Sequence, residues 1–344
     1  MEPAAGLALP GARNLITDVP GLTVGQAEDA AARTGVTVIL PDERAVCACD
    51  VRGGAPGTRE TDALAPENLV DAVDAVVLAG GSVYGLGAAD GVTAWLGARG
   101  RGYSLAASAE VPPSPVVPAA ILFDMANGGE KAWGEAPPYR DLGRAAAQAA
   151  SHQFQLGTAG AGMGAMAGAL KGGIGSASIR STDGFTVGAL AAVNSWGSVV
   201  APGGRTFWAA PFEMVEEFGG LGAAGLRAAP EEWGLAKGAA SLRNTTIACV
   251  ATDVALTPAQ AKRVAIMAQD GLARAIRPIH APFDGDVVFA LSTGRQTCAE
   301  PAQLTVARLG SLAADALARA VARAVYEATP WPGSDVRCWR DLPA

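Results

Sequence analysis

The chain has 344 residues, of which 50% are hydrophobic and 17% are charged, and its formal net charge is −7. A chain of this length and apolar content can bury a large core without disulfides, which excludes a disordered or solvating segment. The negative charge and the lack of a basic tract argue against nucleic acid as a partner.

The N-terminus and the cysteines predict a cytoplasmic protein. Residues 1–11 contain Glu2 and no lysine or arginine, unlike the basic start of a secretory signal peptide. No apolar stretch of the sequence approaches the ~20 residues that a membrane-spanning helix needs. The five cysteines are odd in number and include no Cys-x-x-Cys pair, which is typical of reduced thiols.

Histidine is scarce in this sequence. Only His152 and His280 are present, and neither belongs to a zinc-binding pattern such as His-Glu-x-x-His. The Gly-x-Ser-x-Gly elbow of many serine hydrolases is also missing. We therefore expect no metal or organic cofactor and, if the chain is a hydrolase, a base other than histidine.

Strands and helices are predicted from residue periodicity and capping signals. The predicted strands are, in chain order, 36–40, 45–51, 75–79, 185–193, 197–201, 245–252 and 287–291. The predicted helices are 88–98, 139–151, 258–276 and 305–328. These elements mix without a regular βαβ period, which favours a layered α/β domain, with sheet buried between helices, over a doubly wound sheet.

Three segments are predicted to be irregular. Four prolines make residues 110–118 a loop, and residues 157–175 are dense in glycine and alanine. Residues 203–242 are polar and glycine-rich, which makes this segment the best candidate for an exposed linker. Its acidic residues are predicted to form a solvated helix face: Glu213, Glu216 and Glu217.

The start of the strand at 245–252 offers one chemical possibility. A threonine hydroxyl needs an adjacent base, and if Thr245 became an N-terminus its own α-amine would be that base. An α-amine has an ordinary pKa of about 7.7–8.0, which suits proton transfer near neutrality without histidine. Considered alone, a Thr245–Thr246 pair at a strand start is also ordinary β propensity, and the local sequence does not select between the two threonines.

Five segments resemble, in order, signatures of the L-aminopeptidase/D-esterase family. They are residues 52–62, 78–86, 160–163, 244–247 and 283–286. This family includes β-peptidyl aminopeptidases and the hydrolases of nylon (6-aminohexanoate) oligomers, and the similarity extends from about residue 14 to residue 326. The resemblance implies a self-cleaving hydrolase of the N-terminal-nucleophile type with a layered αββα sandwich fold.

The family's self-cleavage maps onto one peptide bond of this chain. Thr245 matches the nucleophile, which is exposed by cleavage after the preceding residue, here Asn244. Cleavage would divide one hydrolase domain, residues 1–344, into a large chain, 1–244, and a small chain, 245–344, that stay associated. The resemblance also implies a short peptide or amide substrate and a homo-oligomer, commonly a tetramer, while the lack of a long apolar stretch argues against a membrane partner.

Five other residues match site positions of the family. Asn194 matches the asparagine that supplies a hydrogen-bond donor to the oxyanion, and Tyr84 matches a tyrosine that lines the site. Lys171 resembles the lysine near the nucleophile in the nylon-oligomer branch. Asp284 and Asp286 match a polar pair that orients the nucleophile and its amine. Without the resemblance, each of these residues also has an ordinary structural explanation, such as a turn, a packed ring or a surface lysine.

The junction is the point where this sequence departs from part of the family. Aminopeptidase-type members tend to have Gly-Ser at the junction and a Ser/Glu pair downstream, whereas this chain has Asn-Thr and Asp/Asp, as in the nylon-oligomer branch. Release of N-terminal amino acids and internal cleavage of oligoamides therefore both stay open.

Two other functions stay open as alternatives. Self-cleaving ornithine acetyltransferases also use an N-terminal threonine, so acyl transfer to glutamate competes with transfer to water. Gly160-x-Gly162-x-x-Ala165, with Asp183 about twenty residues further on, resembles half of a dinucleotide-binding fingerprint and suggests a nucleotide-binding protein.

Overall fold

The computed structural model describes residues 8–104, 108, 110–238 and 244–343. The strands are β1 (Leu22–Asp29), β2 (Thr34–Pro41), β3 (Ala45–Val51), β4 (Thr58–Arg59), β5 (Ala72–Val73), β6 (Val76–Ala79), β7 (Ala119–Ile121), β8 (Met166–Ala167), β9 (Leu170–Lys171), β10 (Gly173–Arg180), β11 (Thr186–Asn194), β12 (Thr245–Val254) and β13 (Val287–Gln296). The helices are α1 (Ala88–Gly97), α2 (Tyr139–Gln148), α3 (Pro258–Ala275) and α4 (Ala302–Tyr326).

Two large sheets are built from these strands. The first has the order β1-β2-β6-β7-β4 and is antiparallel except between β6 and β7. The second has the order β10-β11-β12-β13-β3-β5 and is antiparallel except between β12 and β13. A short hairpin, β8-β9, stands apart from both sheets.

The side chains of β12 show how the layers stack. Ile247 and Cys249 pack between the two sheets, together with Leu78 of the first sheet. Ala248 and Val250 point to the opposite face of β12 and pack with α3 and α4, because successive residues of a strand alternate between faces. A third core joins the outer face of the first sheet to α1 and α2. The order of layers is therefore helix, sheet, sheet, helix, which confirms the αββα prediction.

All four predicted helices are present. α3 begins where the sequence predicts, because Thr257 and Gln260 form a capping box in which each side chain bonds the other residue's N–H, at 2.8 and 3.3 Å. In the part of the chain that the structure describes, no helix combines the length and the apolar character needed to cross a membrane.

The strand predictions contain one error, and they omit two eight-residue strands, β1 and β10. Residues 197–201 do not form a strand: Ser198 pairs only with Arg277, and Val200 only with Phe207, each through a single bridge. β10 is not predicted, since its sequence GIGSASIR is poor in β-formers. Its small residues are needed for packing, because a Cβ at Gly175 would lie 1.8 Å from the carbonyl oxygen of Ala320 in α4.

The prediction of an exposed linker at 203–242 is wrong for residues 205–218, most of which are buried or half-buried, and it holds for residues 219–234, most of which are exposed. No helix forms at residues 213–217, and Glu217 is not solvated. Its carboxylate pairs with Arg319, which is fully buried, and with Arg323, both on α4. Phe218, next in sequence, is buried in the core. Residues 239–242 lie outside the described residues.

Candidate active site

Thr245 and Asn194 lie opposite each other at one end of the antiparallel pair of strands β11 and β12. Thr245 is the first residue of β12, Asn194 is the last of β11, and they form a register pair. Directly opposed residues project to the same face of a sheet, so both side chains lie on the face that packs against the other sheet. Thr246 projects to the helix side. The two threonines therefore differ in the fold, because only Thr245 lies on the same face as Asn194.

The hydroxyl of Thr245 contacts the peptide bond that precedes it. Its Oγ1 donates a hydrogen bond to the carbonyl oxygen of Asn244, and the N–H of Gly285 donates to the same oxygen at 3.0 Å. A Cβ at position 285 would lie 2.7 Å from Thr245 Oγ1 and 2.8 Å from the carbonyl oxygen of Ala55. Glycine is therefore required at 285 if the hydroxyl is to lie beside this carbonyl.

Asp286 fixes the backbone next to Thr245. Its Oδ1 accepts the N–H of Thr246 at 2.7 Å, and its Oδ2 accepts the N–H of His280 at 3.1 Å. The His280 ring nitrogen Nδ1 lies 2.9 Å from the same Oδ2. Asp286 is fully buried. Sequence reasoning gives His280 no role, and no motif around it indicates one.

Asp284 is also fully buried and retains an unused oxygen. Its Oδ2 accepts the N–H of Ala281 at 2.9 Å, whereas its Oδ1 has no hydrogen-bond partner among the described residues. Burial, reinforced by the nearby charge of Asp286, raises the pKa of Asp284 to about 6. Near neutral pH the site therefore contains an unpaired carboxylate oxygen that could accept from an amine.

The segment at 52–55 supports the aspartate loop. The N–H groups of Arg52 and Gly53 donate to the carbonyl oxygen of Asp286 at 3.0 and 3.3 Å, and the N–H of Ala55 donates to that of Asp284 at 2.7 Å. A Cβ at Gly53 would lie 2.3 Å from the Asp284 carbonyl oxygen. Two of the five motifs, distant in sequence, thus pack together as one unit.

The Asn194 side chain is oriented by two backbone groups. Its Oδ1 accepts the N–H of Met166 at 2.9 Å, and its Nδ2 donates to the carbonyl oxygen of Phe123 at 3.0 Å. This arrangement occupies one of the two Nδ2 hydrogens. The other hydrogen could donate to an oxyanion, as the sequence prediction requires.

Lys171 contacts the peptide whose N–H orients Asn194. Within the described residues its Nζ donates only to backbone carbonyl oxygens, those of Gly162, Ala165 and Gly172, at 2.7–3.1 Å. Burial lowers the pKa of Lys171 to about 7. The carbonyl of Ala165 belongs to the peptide that contains the Met166 N–H, so Lys171 supports the donor that orients Asn194. The predicted position of Lys171 near the nucleophile stays a prediction.

Tyr84 lies on a 3-10 helix, Ser82–Gly87, and is 49% exposed. Its ring packs edge-on against Trp133, with 5.9 Å between ring centroids. The N–H of Ser82 donates to the carbonyl oxygen of Leu122 at 3.0 Å. This places the helix beside the segment that contains Phe123, the partner of Asn194. The role predicted for Tyr84 in the site stays a prediction.

Lys237 is a neighbour of the junction that sequence reasoning does not find. Its Nζ donates to Asn244 Oδ1 at 2.7 Å and to the Asn194 carbonyl oxygen at 3.3 Å, and lies 3.5 Å from Asn194 Oδ1. Burial lowers the pKa of Lys237 to about 7, although the charge of Asp284 opposes this shift. No local signal identifies Lys237, because it belongs to the irregular segment that resembles a linker.

The glycine-rich segment at 160–165 does not have the features of a phosphate-binding loop. The N–H of Gly160 donates to Glu28 Oε1 at 2.5 Å, and that of Ala161 to Thr37 Oγ1 at 3.0 Å. Gly162 donates to the carbonyl oxygen of Ala159 at 2.8 Å. Because these amides are already bonded within the protein, they are not available to bind a pyrophosphate.

The chain is similar in sequence to a family of peptidases. A family model described as peptidase family S58 matches residues 14–338. An uncharacterized aminopeptidase of Mycobacterium tuberculosis is 46% identical, over 96% of this chain and 98% of the relative. A 6-aminohexanoate-oligomer endohydrolase of Kocuria sp. is 30% identical, over 82% of this chain and 76% of the relative.

Two solved structures are similar in fold. A β-aminopeptidase from Burkholderia sp. superposes with a TM-score of 0.68 at 24% identity, over 94% of this chain and 89% of the other. An L-aminopeptidase D-Ala-esterase/amidase from Ochrobactrum anthropi, described as a variant of the Ntn hydrolase fold, gives 0.66 at 22% identity, over 99% and 92%. At these identities the likeness concerns the fold.

Proposed function

This chain belongs to peptidase family S58, as its five motifs predict, and we propose that it is a self-processing amide hydrolase whose nucleophile is Thr245. One observation carries the proposal. The Thr245 hydroxyl hydrogen-bonds the carbonyl of the residue before it, in a buried site that also contains Asn194 and two aspartates. The nucleophile and the bond to be cleaved are therefore already in contact.

The first reaction is cleavage of the chain's own peptide bond. Thr245 Oγ1 attacks the carbonyl carbon of Asn244 and forms a tetrahedral intermediate. Its oxyanion lies where the Gly285 N–H already donates. Collapse of the intermediate breaks the C–N bond, the Thr245 nitrogen takes the proton, and an ester remains. Water then hydrolyses the ester, which leaves a carboxylate on Asn244 and returns the hydroxyl to Thr245.

The freed α-amine serves as the base in later turnovers. It accepts the Oγ1 proton as Thr245 attacks the substrate amide, then passes that proton to the departing amine. The Oδ1 of Asp284, which has no partner among the described residues, is suited to bind the ammonium form. Water attacks the resulting acyl ester through the same amine and completes the hydrolysis.

Asn194 supplies a second oxyanion donor, beside the Gly285 N–H, through its remaining Nδ2 hydrogen. A well-held donor at this position contributes about 3–4 kcal/mol to transition-state stabilisation. After cleavage, residues 245–344 still contribute β12 and β13 to the middle of the second sheet. The two chains of the single domain are therefore expected to stay associated.

The proposed substrates are short peptides or oligoamides. Relatives are named as aminopeptidases and as an endohydrolase of 6-aminohexanoate oligomers, so attack at chain ends and inside oligomers are both candidates. Acyl transfer is the second candidate, because the same acyl ester could react with glutamate. Product analysis with and without glutamate separates the two: a hydrolase releases the free acid at an unchanged rate.

Intact mass and N-terminal sequencing of the purified protein test the proposal. Wild type should separate into residues 1–244 and 245–344, while Thr245→Val should stay at 34.5 kDa. Thr246→Val is the matched control, since it removes a hydroxyl from the adjacent residue on the opposite face and should be cleaved normally. A wild-type chain that stays whole, or a Thr245→Val chain that is cleaved, would contradict the mechanism.

A further inference from the structure

We infer that Lys237 recognises a hydrogen-bond acceptor on the acyl side of the scissile amide, so that the enzyme selects acyl groups with an amide or carboxylate oxygen at the position of the Asn244 side chain. The inference rests on the proposed function, because it needs Thr245 to attack both the junction and the substrate. It begins from the 2.7 Å hydrogen bond between Lys237 Nζ and Asn244 Oδ1.

Asn244 is the acyl group of the self-cleavage reaction. The ester on Thr245 has the same connectivity whether the acyl group comes from Asn244 or from a substrate. One nucleophile, with the same oxyanion donors, must hold both acyl carbons in the same place. A substrate side chain then extends into the space that the Asn244 side chain occupies before cleavage, where Lys237 Nζ lies.

Lys237 is anchored independently of the junction. Its N–H donates to the carbonyl oxygen of Trp196 at 2.9 Å, and the carbonyl oxygen of Leu235 accepts the N–H of Ala169 at 2.7 Å. The Trp233 ring packs edge-on against Trp196, with 5.1 Å between centroids. None of these contacts involves the bond that is cleaved. Departure of Asn244 therefore leaves Lys237 in place, still bonded to Asn194.

The position of the acceptor defines the substrate class. Asn244 Oδ1 is attached to the carbon three bonds from the scissile carbonyl carbon. Asparaginyl and aspartyl groups place an oxygen there, whereas a leucyl group has a similar shape but no acceptor. With a leucyl group, Lys237 Nζ keeps only its contacts with Asn194 and finds no acceptor in place of Asn244 Oδ1, which disfavours that substrate.

Hydrolysis of matched p-nitroanilides of L-asparagine, L-aspartate and L-leucine tests the inference. For the cleaved wild type we expect kcat/KM for the asparaginyl substrate to exceed that for the leucyl substrate on the order of ten- to a hundredfold. Lys237→Met should reduce this ratio to about one, and Lys237→Arg should preserve part of it. The aspartyl substrate shows whether charge adds to acceptor recognition. A wild-type ratio near one, or a ratio unchanged in Lys237→Met, would overturn the inference.

A measurement on the precursor keeps the test decisive if Lys237→Met is cleaved too slowly to yield active enzyme. Rates of self-cleavage are compared for wild type, Lys237→Met, Asn244→Leu and the double variant. Lys237→Met should slow cleavage about tenfold when Asn244 is present and not at all in the Asn244→Leu background, where the acceptor is gone. Equal slowing in both backgrounds would reject the role of Lys237. Thr245→Val separates the two ideas, since its cleavage would reject the proposed function itself.

Discussion

Lys171 and Lys237 share a pKa lowered to about 7 by burial, but they lie in regions of opposite character. Lys171 Nζ bonds three carbonyl oxygens of the compact segment 162–172. Lys237, in the irregular segment 203–238, bonds oxygens of Asn194 and Asn244, which belong to the site itself. A lowered lysine pKa therefore does not by itself indicate chemistry. The partners decide whether the lysine supports the fold or faces a reacting group.

The largest expected effect is on the free energy of unfolding, which Lys171→Met should lower more than Lys237→Met does. Lys171→Met removes three hydrogen bonds, and at about 1 kcal/mol each we expect the unfolding free energy to fall by about 3 kcal/mol. The Gly172 carbonyl oxygen loses the Lys171 donor, whereas those of Gly162 and Ala165 keep backbone donors at 3.2 and 2.9 Å. Lys237→Met should cost less than about 1 kcal/mol, because the Lys237 residue as a whole is only partly buried. Urea unfolding in the Thr245→Val background compares them on uncut chains. Equal losses would remove the distinction between the two regions.

The next prediction concerns Asn194, which lies between the two lysines. Asn194→Ala should slow self-cleavage about a hundredfold, because it removes one of the two proposed oxyanion donors and leaves only the Gly285 N–H. Asn127→Ala, which removes hydrogen bonds to Arg33 and Gly164, is the control and should be cleaved at the wild-type rate.

The same variant shows how Lys171 acts on the reaction. If Lys171 acts through the Met166 N–H that orients Asn194, then Lys171→Met should slow cleavage of wild type and have no further effect in Asn194→Ala. Additive slowing in the double variant would show that Lys171 reaches the reacting groups by another route.

The sequence predicts regular elements better than it predicts contacts across irregular chain. The four helices and the central strands follow from periodicity and capping, whereas β10 escapes prediction because its small residues are suited to contact with α4. Thr245, Asp284 and Asp286 are identified as site candidates by their match to the family motifs and not by periodicity. Lys237 cannot be found in this way, since its position depends on how residues 233–237 dock against Trp196 and Ala169.

A pH titration of stability sharpens the account of Lys171. Between about pH 7 and the ordinary lysine pKa of about 10.4, the unfolded chain holds a proton that folded Lys171 lacks, so stability should rise with pH. Lys237, whose pKa is also lowered to about 7, acts in the same direction, so we expect a rise on the order of 4 kcal/mol between about pH 7 and 9 in urea unfolding of the uncut chain. Lys171→Met should lose about half of this slope. A wild-type curve parallel to that of Lys171→Met would contradict the assignment.

The smallest expected effect concerns Asp284 and tests whether its carboxylate binds the Thr245 α-amine. The pKa of Asp284 is raised to about 6 by burial and by Asp286, so its carboxylate is present above pH 6 and lost below it. Loss of the carboxylate removes the proposed partner of the Thr245 α-amine. Amide hydrolysis should therefore fall about tenfold between about pH 7 and about pH 5.

Steady-state rates for cleaved wild type and Asp284→Asn measure this inflection. Asp284→Asn should be slower at pH 7 and should lack the fall near pH 6, since no titrating group remains at that position. Asn127→Ala serves as the control, because it leaves Asp284 and the contacts of Asn194 intact and should retain the inflection. If Asp284→Asn keeps the wild-type profile, the acidic limb belongs to another group. Asp284 would then stabilise the loop at residues 281–286 and would not bind the Thr245 α-amine.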